Sequence, residues 1–263
     1  MNQHIQTQFG RAAADYAVSQ VHAQGSSLPV LLEMLQPQPC WRVLDVATGA
    51  GHTAHLLSPH VAQVVAADLT EPMLAETRRN ATAKGLTCLQ VAAADAIALP
   101  FAAHSFDAVT CRLAAHHFAG IGRFLREAAR VLKPGGRLAV ADTIVPGSRL
   151  RGKKAKLLQA AGNYVNAFEK LRDGSHGRNL SLHEWQDAFA AAGLAMQRQE
   201  LLPMTLDFDA YAERMRVPPT DKLRLRAMLL QAPAPVLEFL TPQVTGDRIA
   251  FHFTEAVFLA VSR

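Results

Sequence analysis

Residues 43–54 decide the fold, and they read VLDVATGAGHTA. The stretch begins as an apolar strand, passes through two glycines and continues into residues that suit a helix. Gly49 and Gly51 allow the backbone to turn sharply and leave no Cβ in the way of a ligand. The helix that follows presents unpaired N–H groups at its start. This strand–turn–helix pattern is typical of a nucleotide site.

Short apolar runs on both sides of this stretch alternate with helical segments. Because the runs are apolar throughout, they indicate parallel strands that are buried on both faces of a sheet. The alternation therefore predicts a doubly wound α/β fold. The predicted strands are Arg42–Val46, Val61–Ala67, Thr87–Ala92, Ala108–Cys111 and Arg137–Ala141, and the predicted helices are Thr53–Leu57, Pro72–Ala83 and Arg123–Leu132.

The alternation stops after Pro146 and resumes at Ser181. Ser181 and Glu184 have the spacing of a capping box, which predicts the start of a helix. The tail returns to strand character in Leu194–Leu202 and in Ile249–Val261. The last of these runs can pair antiparallel with the sheet. We therefore expect a seven-stranded, mostly parallel sheet with an antiparallel C-terminal strand and a helical lid.

A chain of 263 residues can bury a large core without disulfides. We expect a single domain with four parts. These are an N-terminal helical cap over 1–38, a cofactor-binding core over 40–146, a lid insertion over 147–180 and the C-terminal part of the sheet over 181–263.

The composition, 49% hydrophobic and 19% charged, is that of a globular protein, and the net charge of +5 does not by itself indicate an anionic partner. Basic residues concentrate in one short run. Because no aromatic residues are interleaved with it, we interpret the run as a solvated helix start and expect no nucleic-acid partner. No window approaches the roughly 20 apolar residues of a membrane-spanning helix, and a cytoplasmic location is expected. The run comprises Arg149, Arg151, Lys153, Lys154 and Lys156.

The three cysteines are scattered and form no C-x-x-C pair. This spacing argues against a disulfide framework and against a zinc ribbon. Cys111 is interpreted as a small buried hydrophobe rather than a reactive thiol. His52 and His55 share a helix face but lack further ligands at metal spacing, so no metal is predicted.

Carboxylates lie at or just after three of the predicted strands, as Asp45, Asp68 and Asp95. Asp68 can accept hydrogen bonds from the hydroxyls of a ribose, and Asp95 can accept a hydrogen bond from the exocyclic amine of adenine. The glycine turn also fits a dinucleotide fingerprint, which leaves NAD(P) as an alternative ligand. Asp45 would repel a pyrophosphate but attract an ammonium group. No tyrosine is followed by a lysine four residues later. Both observations favour S-adenosylmethionine.

In these motifs the sequence resembles the class I S-adenosylmethionine-dependent methyltransferases, and among them the quinone-biosynthesis C-methyltransferases and their small-molecule relatives. The resemblance extends from Phe9 to Pro146. One departure is Ala47, which stands where the family usually has its first glycine. The resemblance implies that the methionine part is held by Asp45, Ala47, Gly49 and Gly51, the ribose by Asp68, and the adenine by Leu69, Met73, Asp95 and Ala96.

Residues just after the fourth strand are the first place to look for chemistry, because ligands bind beyond the carboxyl ends of the strands. Two adjacent histidines, His116 and His117, follow that strand. Imidazole titrates near neutral pH and can act as a general base. At most one of the two can face the methyl group, and a structural role for both stays open. Arg112 either contacts cofactor or substrate or anchors the loop.

The expected reaction is methyl transfer to a carbon or oxygen of a small, apolar or aromatic acceptor, with S-adenosylhomocysteine as product. The alternatives are an NAD(P)-dependent oxidoreductase and a non-catalytic S-adenosylmethionine-binding protein. In-line displacement depends chiefly on alignment and on a dry cavity, so the lid matters. The sequence is also compatible with a homodimer. Candidate polar groups of the lid are Tyr16, His22, His176 and Arg178.

Overall fold

The computed structural model describes residues 25–263. Tyr16, His22 and most of the predicted N-terminal cap lie outside the described residues. The described residues form eight strands. They are β1 Arg42–Val46, β2 Gln63–Asp68, β3 Leu89–Ala93, β4 Phe106–Arg112, β5 Leu132–Ile144, β6 Leu194–Asp207, β7 Gln243–Thr245 and β8 Arg248–Ser262.

The strands build one sheet in the order β3-β2-β1-β4-β5-β8-β6, and the short β7 pairs with β8 outside this path. Neighbouring strands from β3 to β5 are parallel. β8 runs antiparallel to both β5 and β6. The predicted mostly parallel sheet with an antiparallel C-terminal strand is thus confirmed, with seven strands on the main path and β7 as an eighth. The sequence analysis did not predict β7, which forms a hairpin with β8 around Gly246, whose φ is 58°.

The order of the strands reverses at β1, because β2 and β3 lie on one side of it and β4 and β5 on the other. In open α/β sheets a crevice forms at such a point, outside the carboxyl ends of the strands. The register pairs Asp45 of β1 with Ala66 of β2 and with Thr110 of β4. The last residues of β2 and β4, Asp68 and Arg112, therefore emerge at the same edge of the sheet as Asp45.

Nine α-helices and two short 3-10 helices occur in the described residues. The helices predicted before β5 are found within two residues of their expected bounds, and the predicted insertion contains α5. The α-helices are α1 Ser27–Leu35, α2 His52–Leu57, α3 Glu71–Ala83, α4 Ile121–Val131, α5 Lys153–Arg172, α6 Leu182–Ala191, α7 Phe208–Arg214, α8 Pro219–Leu230 and α9 Ala234–Leu240, and the 3-10 helices are Ser58–His60 and Ala115–His117.

Apolar cores cover both faces of the sheet, which explains why its strands are apolar throughout. On one face, Leu44 of β1 belongs to a core with Phe124 of α4 and Trp185 of α6. On the other face, Val43 belongs to a core with Leu31 of α1. Successive residues of a strand point to opposite faces, so both must be apolar when helices cover both sides.

A third core lies around α5, α7, α8 and α9, and it includes Phe251 and Phe253 of β8. The long β6 and β8 continue their pairing into this region, where Met204 is opposite Phe253 and Leu206 is opposite Phe251. The predicted end of β6 at Leu202 was therefore too early. Because β6 is the edge strand of the sheet, it tolerates the proline at position 203.

The capping box predicted at the start of α6 is present, since Ser181 and Glu184 bond each other's backbone. Between residues 25 and 263, no helix combines the length and apolarity needed to cross a bilayer. In the same residues, no group of three or more His, Cys, Asp and Glu side chains has an arrangement that could hold a metal ion.

Candidate functional site

A cleft opens at the carboxyl ends of β1 to β4 and encloses about 1070 Å³ of empty space, counted with its opening. The cleft is lined by the glycine turn, the ends of the strands and the 3-10 helix at residues 115–117. The lining residues that the sequence analysis had selected are Asp45, Ala47, Gly49, Asp68, Leu69, Met73, Asp95, Ala96, Arg112 and His117.

The glycine turn has a left-handed backbone at both glycines, with φ of 56° at Gly49 and 87° at Gly51. Gly49 lines the cleft, and a Cβ added to it would meet nothing within 4 Å. A Cβ on Gly51 would lie 2.8 Å from the ring of His55 and from Cγ2 of Thr77. The structure thus gives Gly51 a packing reason to be glycine, because it lets α2 approach α3 closely.

Ala47 lies in the cleft wall with φ of 53°, a left-handed conformation that residues with a Cβ rarely adopt. The alanine at the family's usual glycine position therefore keeps the glycine-like backbone. A left-handed alanine costs roughly 1–2 kcal/mol relative to its ordinary conformation. Backbone strain of this kind often persists where a ligand site fixes the chain.

Replacing Ala47 by glycine is expected to raise the free energy of unfolding by about 0.5–1 kcal/mol, because relief of strain exceeds the added chain entropy of glycine. Urea unfolding of the two proteins measures the difference. The matched control is Ala54→Gly in α2, which should lower stability by about 1 kcal/mol. Equal destabilisation by both substitutions would show that Ala47 is not strained.

Asp45 is a buried carboxyl at the floor of the cleft, and its side chain is 1% exposed. Its two oxygens accept hydrogen bonds from the hydroxyls of Thr48 and Thr110, each at 2.6 Å. Burial raises the pKa of Asp45 from 3.8 to about 6, although both threonines and the nearby Arg112 act in the opposite direction. A cationic group placed beside this carboxyl would favour its ionised form.

Asp68 joins the end of β2 to the glycine turn. Its Oδ2 accepts a hydrogen bond from the backbone N–H of Gly49 at 2.9 Å. Its Oδ1 accepts hydrogen bonds from the backbone N–H of Thr70 at 2.9 Å and from the hydroxyl of Thr70. The hydroxyl of Thr77 in turn donates to the carbonyl of Gly49 at 2.8 Å. The carboxylate is therefore held rigidly where it lines the cleft.

The far end of the cleft is mostly apolar, with Leu69, Met73 and Ala96 in its wall. Asp95 stands among them, and its Oδ1 accepts the backbone N–H of Ile97 at 3.1 Å. An apolar slot with one acceptor at its rim suits the flat, amine-bearing ring of adenine.

Arg112 lies at the end of β4, where it lines the cleft and is 9% exposed. Its Nε donates to Oγ of Ser27 at 2.9 Å. The buried Glu255 of β8 lies close enough to act on the charge of Arg112. Burial lowers the pKa of this guanidinium, and Glu255 and Asp45 oppose the shift. Arg112 therefore anchors β4 to α1 through Ser27 and also lines the cleft, and its contact with a cofactor or substrate stays a prediction.

The two adjacent histidines point to different surroundings. His116 turns to Asp142 of β5, whose Oδ1 lies 2.6 Å from its Nδ1 and whose Oδ2 accepts its backbone N–H at 2.9 Å. Burial acts to lower the pKa of His116. The charge of Asp142 and its hydrogen bond outweigh the effect of burial, so the pKa of His116 is raised. His117 lines the cleft instead. Burial, with the charges of His116, His176 and Arg172, lowers its pKa well below 6.5.

The two candidate lid residues in the described part of the chain differ in exposure. His176 is 2% exposed, and its Nε2 lies 3.0 Å from Oδ1 of Asn166. Its ring centroid is 5.5 Å from that of His116. Arg178 reaches the surface and bonds Glu184. Among the described residues, the lining of the cleft includes neither His176 nor Arg178.

The comparisons with known proteins can be set against this geometry. The methyltransferase domain family matches residues 44–140, from β1 into β5. YcgJ of Bacillus subtilis, named an uncharacterized methyltransferase, is 35% identical over 213 residues, which are 81% of this chain and 80% of that protein. This chain belongs to the S-adenosylmethionine-dependent methyltransferase family.

Other relatives agree with this membership of the methyltransferase family. A demethylmenaquinone methyltransferase of Thermus thermophilus is 48% identical over 103 residues, which are 38% of this chain and 46% of that protein. The crystal structure of YcgJ superposes with a TM-score of 0.83 at 31% identity, covering 90% of this chain and 98% of that one. A putative methyltransferase of Bacillus halodurans, BH2331, superposes with a TM-score of 0.83 at 32% identity, covering 90% of this chain and 99% of that one.

Several residues around the methyltransferase cleft were missed in the sequence. Asp142, Glu255 and Ser175 reach the site from β5, from β8 and from the loop after α5. A signal was available for two of them, because Asp142 and Glu255 interrupt otherwise apolar strands. A charged residue in such a run is seldom buried without a partner. The partners themselves lie too far along the chain to be inferred.

Proposed function

We propose that this methyltransferase binds S-adenosylmethionine in the cleft and transfers its methyl group to a carbon or oxygen of a small, apolar or aromatic acceptor. The observation that carries the proposal is the convergence of three carboxylates, Asp45, Asp68 and Asp95, on one cleft from the ends of successive strands. Their order along the cleft matches an ammonium group, a ribose and an adenine. S-Adenosylmethionine supplies an electrophilic methyl group on a sulfonium sulfur.

The residues of the cleft fit this cofactor on physical grounds. Asp45 is buried with its pKa raised to about 6, and a bound ammonium group would stabilise the carboxylate. Asp68 is held in place by Gly49 and Thr70, and the remaining acceptor site on its Oδ2 can take a ribose hydroxyl. A pyrophosphate in the same place would meet the Asp45 carboxylate, which opposes the dinucleotide alternative.

Arg112, His117 and Phe118 line the cleft from the end of β4 onward, and we assign this part of the wall to the acceptor. Alignment of the reacting atoms can contribute about 7–11 kcal/mol to catalysis, more than the roughly 3–5 kcal/mol from a well-placed base. We assign the alignment to a lid that includes residues 147–180, which contain α5; most of the predicted N-terminal cap lies outside the described residues. His117 is our candidate for the general base. We assign to His116 the role of holding His117 in position through the 3-10 helix at residues 115–117.

Calorimetric titration of the full chain separates the candidate functions. We expect S-adenosylhomocysteine to bind with a stoichiometry of one, and NAD⁺ and NADP⁺ to show no binding under the same conditions. Binding of either dinucleotide without binding of S-adenosylhomocysteine would refute the proposal. Transfer of labelled methyl groups from S-adenosylmethionine to a panel of small acceptors then distinguishes an enzyme from a non-catalytic binding protein.

A further inference from the structure

The ring of His117 has a defined hydrogen-bond environment on one side. Its Nδ1 lies 3.3 Å from the carbonyl oxygen of Ser175 and 3.2 Å from Oγ of the same residue. A carbonyl oxygen can only accept, so this contact requires a proton on Nδ1. The lone pair of the neutral ring then resides on Nε2.

The hydroxyl of Ser175 does not weaken the preference for a proton on Nδ1, because this hydroxyl donates its own proton to Asp173. Oγ of Ser175 donates to Oδ1 of Asp173 at 2.6 Å, and the backbone N–H of Ser175 donates to the same oxygen at 2.8 Å. With its proton committed to a carboxylate, Oγ presents a lone pair to His117. Both oxygens of Ser175 therefore accept from Nδ1–H, and all three residues are buried.

The loop that carries Ser175 is fixed at both ends. Nζ of Lys170 donates to the carbonyls of Gly174 and His176, each at 2.7 Å. The backbone N–H groups of Gly177 and Arg178 both donate to the carbonyl of His116 at 2.9 Å. The loop and the histidine turn thus form one rigid wall, and the distance from Ser175 to His117 is set by the backbone.

We propose that Ser175 and Asp173 are positioning residues that hold His117 as the Nδ1-protonated tautomer, so that its Nε2 accepts a proton from the methyl acceptor. This inference rests on the proposed function and narrows the acceptor to a molecule with an acidic O–H or C–H bond. The acceptor's proton moves to Nε2 as its oxygen or carbon bonds the methyl carbon. The carbon–sulfur bond breaks, and its electron pair stays on sulfur.

The charge state of His117 supports this assignment. Burial lowers the pKa of His117 well below 6.5, and the neighbouring His116, His176 and Arg172 act in the same direction, while the contact with the Ser175 carbonyl opposes them. An imidazole that is neutral at physiological pH has one unprotonated ring nitrogen, and this is the nitrogen that can take up a proton. The rings of His116 and His117 lie 4.1 Å apart, and His116 carries the higher pKa because of Asp142.

Nitrogen-15 NMR of the full chain with labelled histidine and bound S-adenosylhomocysteine tests the tautomer, with His117→Gln assigning the signal. We expect one neutral form, protonated at Nδ1. Asp173→Ala should populate the Nε2-protonated form, because the freed Ser175 hydroxyl can then donate to Nδ1. Ser175→Ala should shift the Nδ1 resonance, whereas Asp173→Asn should restore the wild-type spectrum, since its amide oxygen still accepts from Ser175.

Thr143→Val is the matched control, because it removes the buried 2.8 Å bond from Thr143 to Asn179 without touching His117. A wild-type ring protonated at Nε2 or on both nitrogens would overturn the inference, and so would spectra unchanged in both Asp173→Ala and Ser175→Ala. Calorimetry of S-adenosylhomocysteine on the same samples reports the proposed function separately. Failure of S-adenosylhomocysteine to bind would reject the proposed function. The NMR result tests only whether Ser175 and Asp173 fix the tautomer of His117.

The acceptor class has its own readout in the methyl-transfer panel. Phenols and 1,3-dicarbonyl compounds should be methylated, and His117→Gln should reduce kcat for them while leaving the KM for S-adenosylmethionine unchanged. Methylation of amines alone, or equal kcat in wild type and His117→Gln, would contradict the assignment of His117 as proton acceptor.

Discussion

The Asp45→Asn variant is expected to be about 2 kcal/mol more stable than the wild-type protein at neutral pH, although it binds S-adenosylhomocysteine more weakly. Burial raises the pKa of Asp45 from 3.8 to about 6, so the folded chain binds the proton more tightly than the unfolded chain does. The stability that this proton contributes is complete below about pH 4 and is lost as the pH rises through about 6. Because asparagine does not titrate, the Asp45→Asn variant does not lose this stability as the pH rises.

The size of the effect follows from the shift. The rise in the pKa of Asp45 from 3.8 to about 6 corresponds to about 3 kcal/mol, and we allow about 1 kcal/mol for turning one threonine hydroxyl toward the new amide. Urea unfolding between pH 4 and pH 8 should show the stability difference growing up to about pH 6 and then remaining constant. Parallel pH curves for the two proteins would contradict the buried, proton-binding state of Asp45.

Asp107→Asn provides a control of opposite sign. The pKa of Asp107 is lowered, because hydrogen bonds from the backbone of Arg42 and from Lys133, with the Lys133 charge, outweigh its partial burial. Its stabilising contribution is present at neutral pH and is lost in acid. Asp107→Asn should therefore destabilise the protein at neutral pH, and its affinity for S-adenosylhomocysteine should stay unchanged because Asp107 lies outside the cleft lining of the described residues.

Asp68→Ala is expected to weaken the binding of S-adenosylhomocysteine by about 1.5–3 kcal/mol, or roughly 10- to 150-fold, because a charged acceptor for the ribose is lost. The substitution also frees the N–H of Gly49, which Asp68 holds at 2.9 Å, so part of the loss reflects a looser turn. Isothermal titration calorimetry measures the affinity directly. Unchanged affinity would remove Asp68 from the cofactor site.

Thr70→Val separates the two contributions of Asp68. It removes the hydroxyl that donates to Oδ1 of Asp68 but leaves the carboxylate and its bond from Gly49 in place. We expect less than a tenfold loss of affinity, since one neutral donor is worth about 1 kcal/mol. A loss as large as that of Asp68→Ala would mean that Asp68 acts by shaping the turn rather than by contacting the ribose.

The central fold was predictable because its information is local. The run around Leu44 is apolar on both faces, and the glycine turn and Asp68 follow at fixed positions along the chain. Each of these features needs only neighbouring residues to be interpreted. Parallel strands bring their carboxyl ends to one edge, so the placement of Asp45, Asp68 and Asp95 around one cleft follows from the strand assignments.

The rest of the site depends on long-range packing. Asp142 meets His116 across 26 residues, Ser175 meets His117 across 58, and Arg112 meets Ser27 across 85. A local pattern contains no information on such pairs. For the same reason the choice between His116 and His117 stayed open in the sequence, whereas the structure turns His116 to Asp142 and places His117 in the cleft wall.

The extension of β6 to Asp207 was also hidden from local patterns. This segment pairs with β8, where Leu206 is opposite Phe251, and both residues pack into the third core. The strand exists because the helices α7 to α9 cover it, and those helices come later in the chain. Burial by distant elements, rather than intrinsic strand preference, decides such a region.

A crystal structure of the full chain with S-adenosylhomocysteine is the measurement that tests the central claim most directly. The account predicts the amino group of the ligand within hydrogen-bond reach of Asp45, directly or through one water, the ribose hydroxyls on Asp68 and the adenine amine beside Asp95. Absence of the ligand from crystals soaked at saturating concentration would contradict the claim. So would a ligand bound elsewhere, or an NAD pyrophosphate lying on the glycine turn.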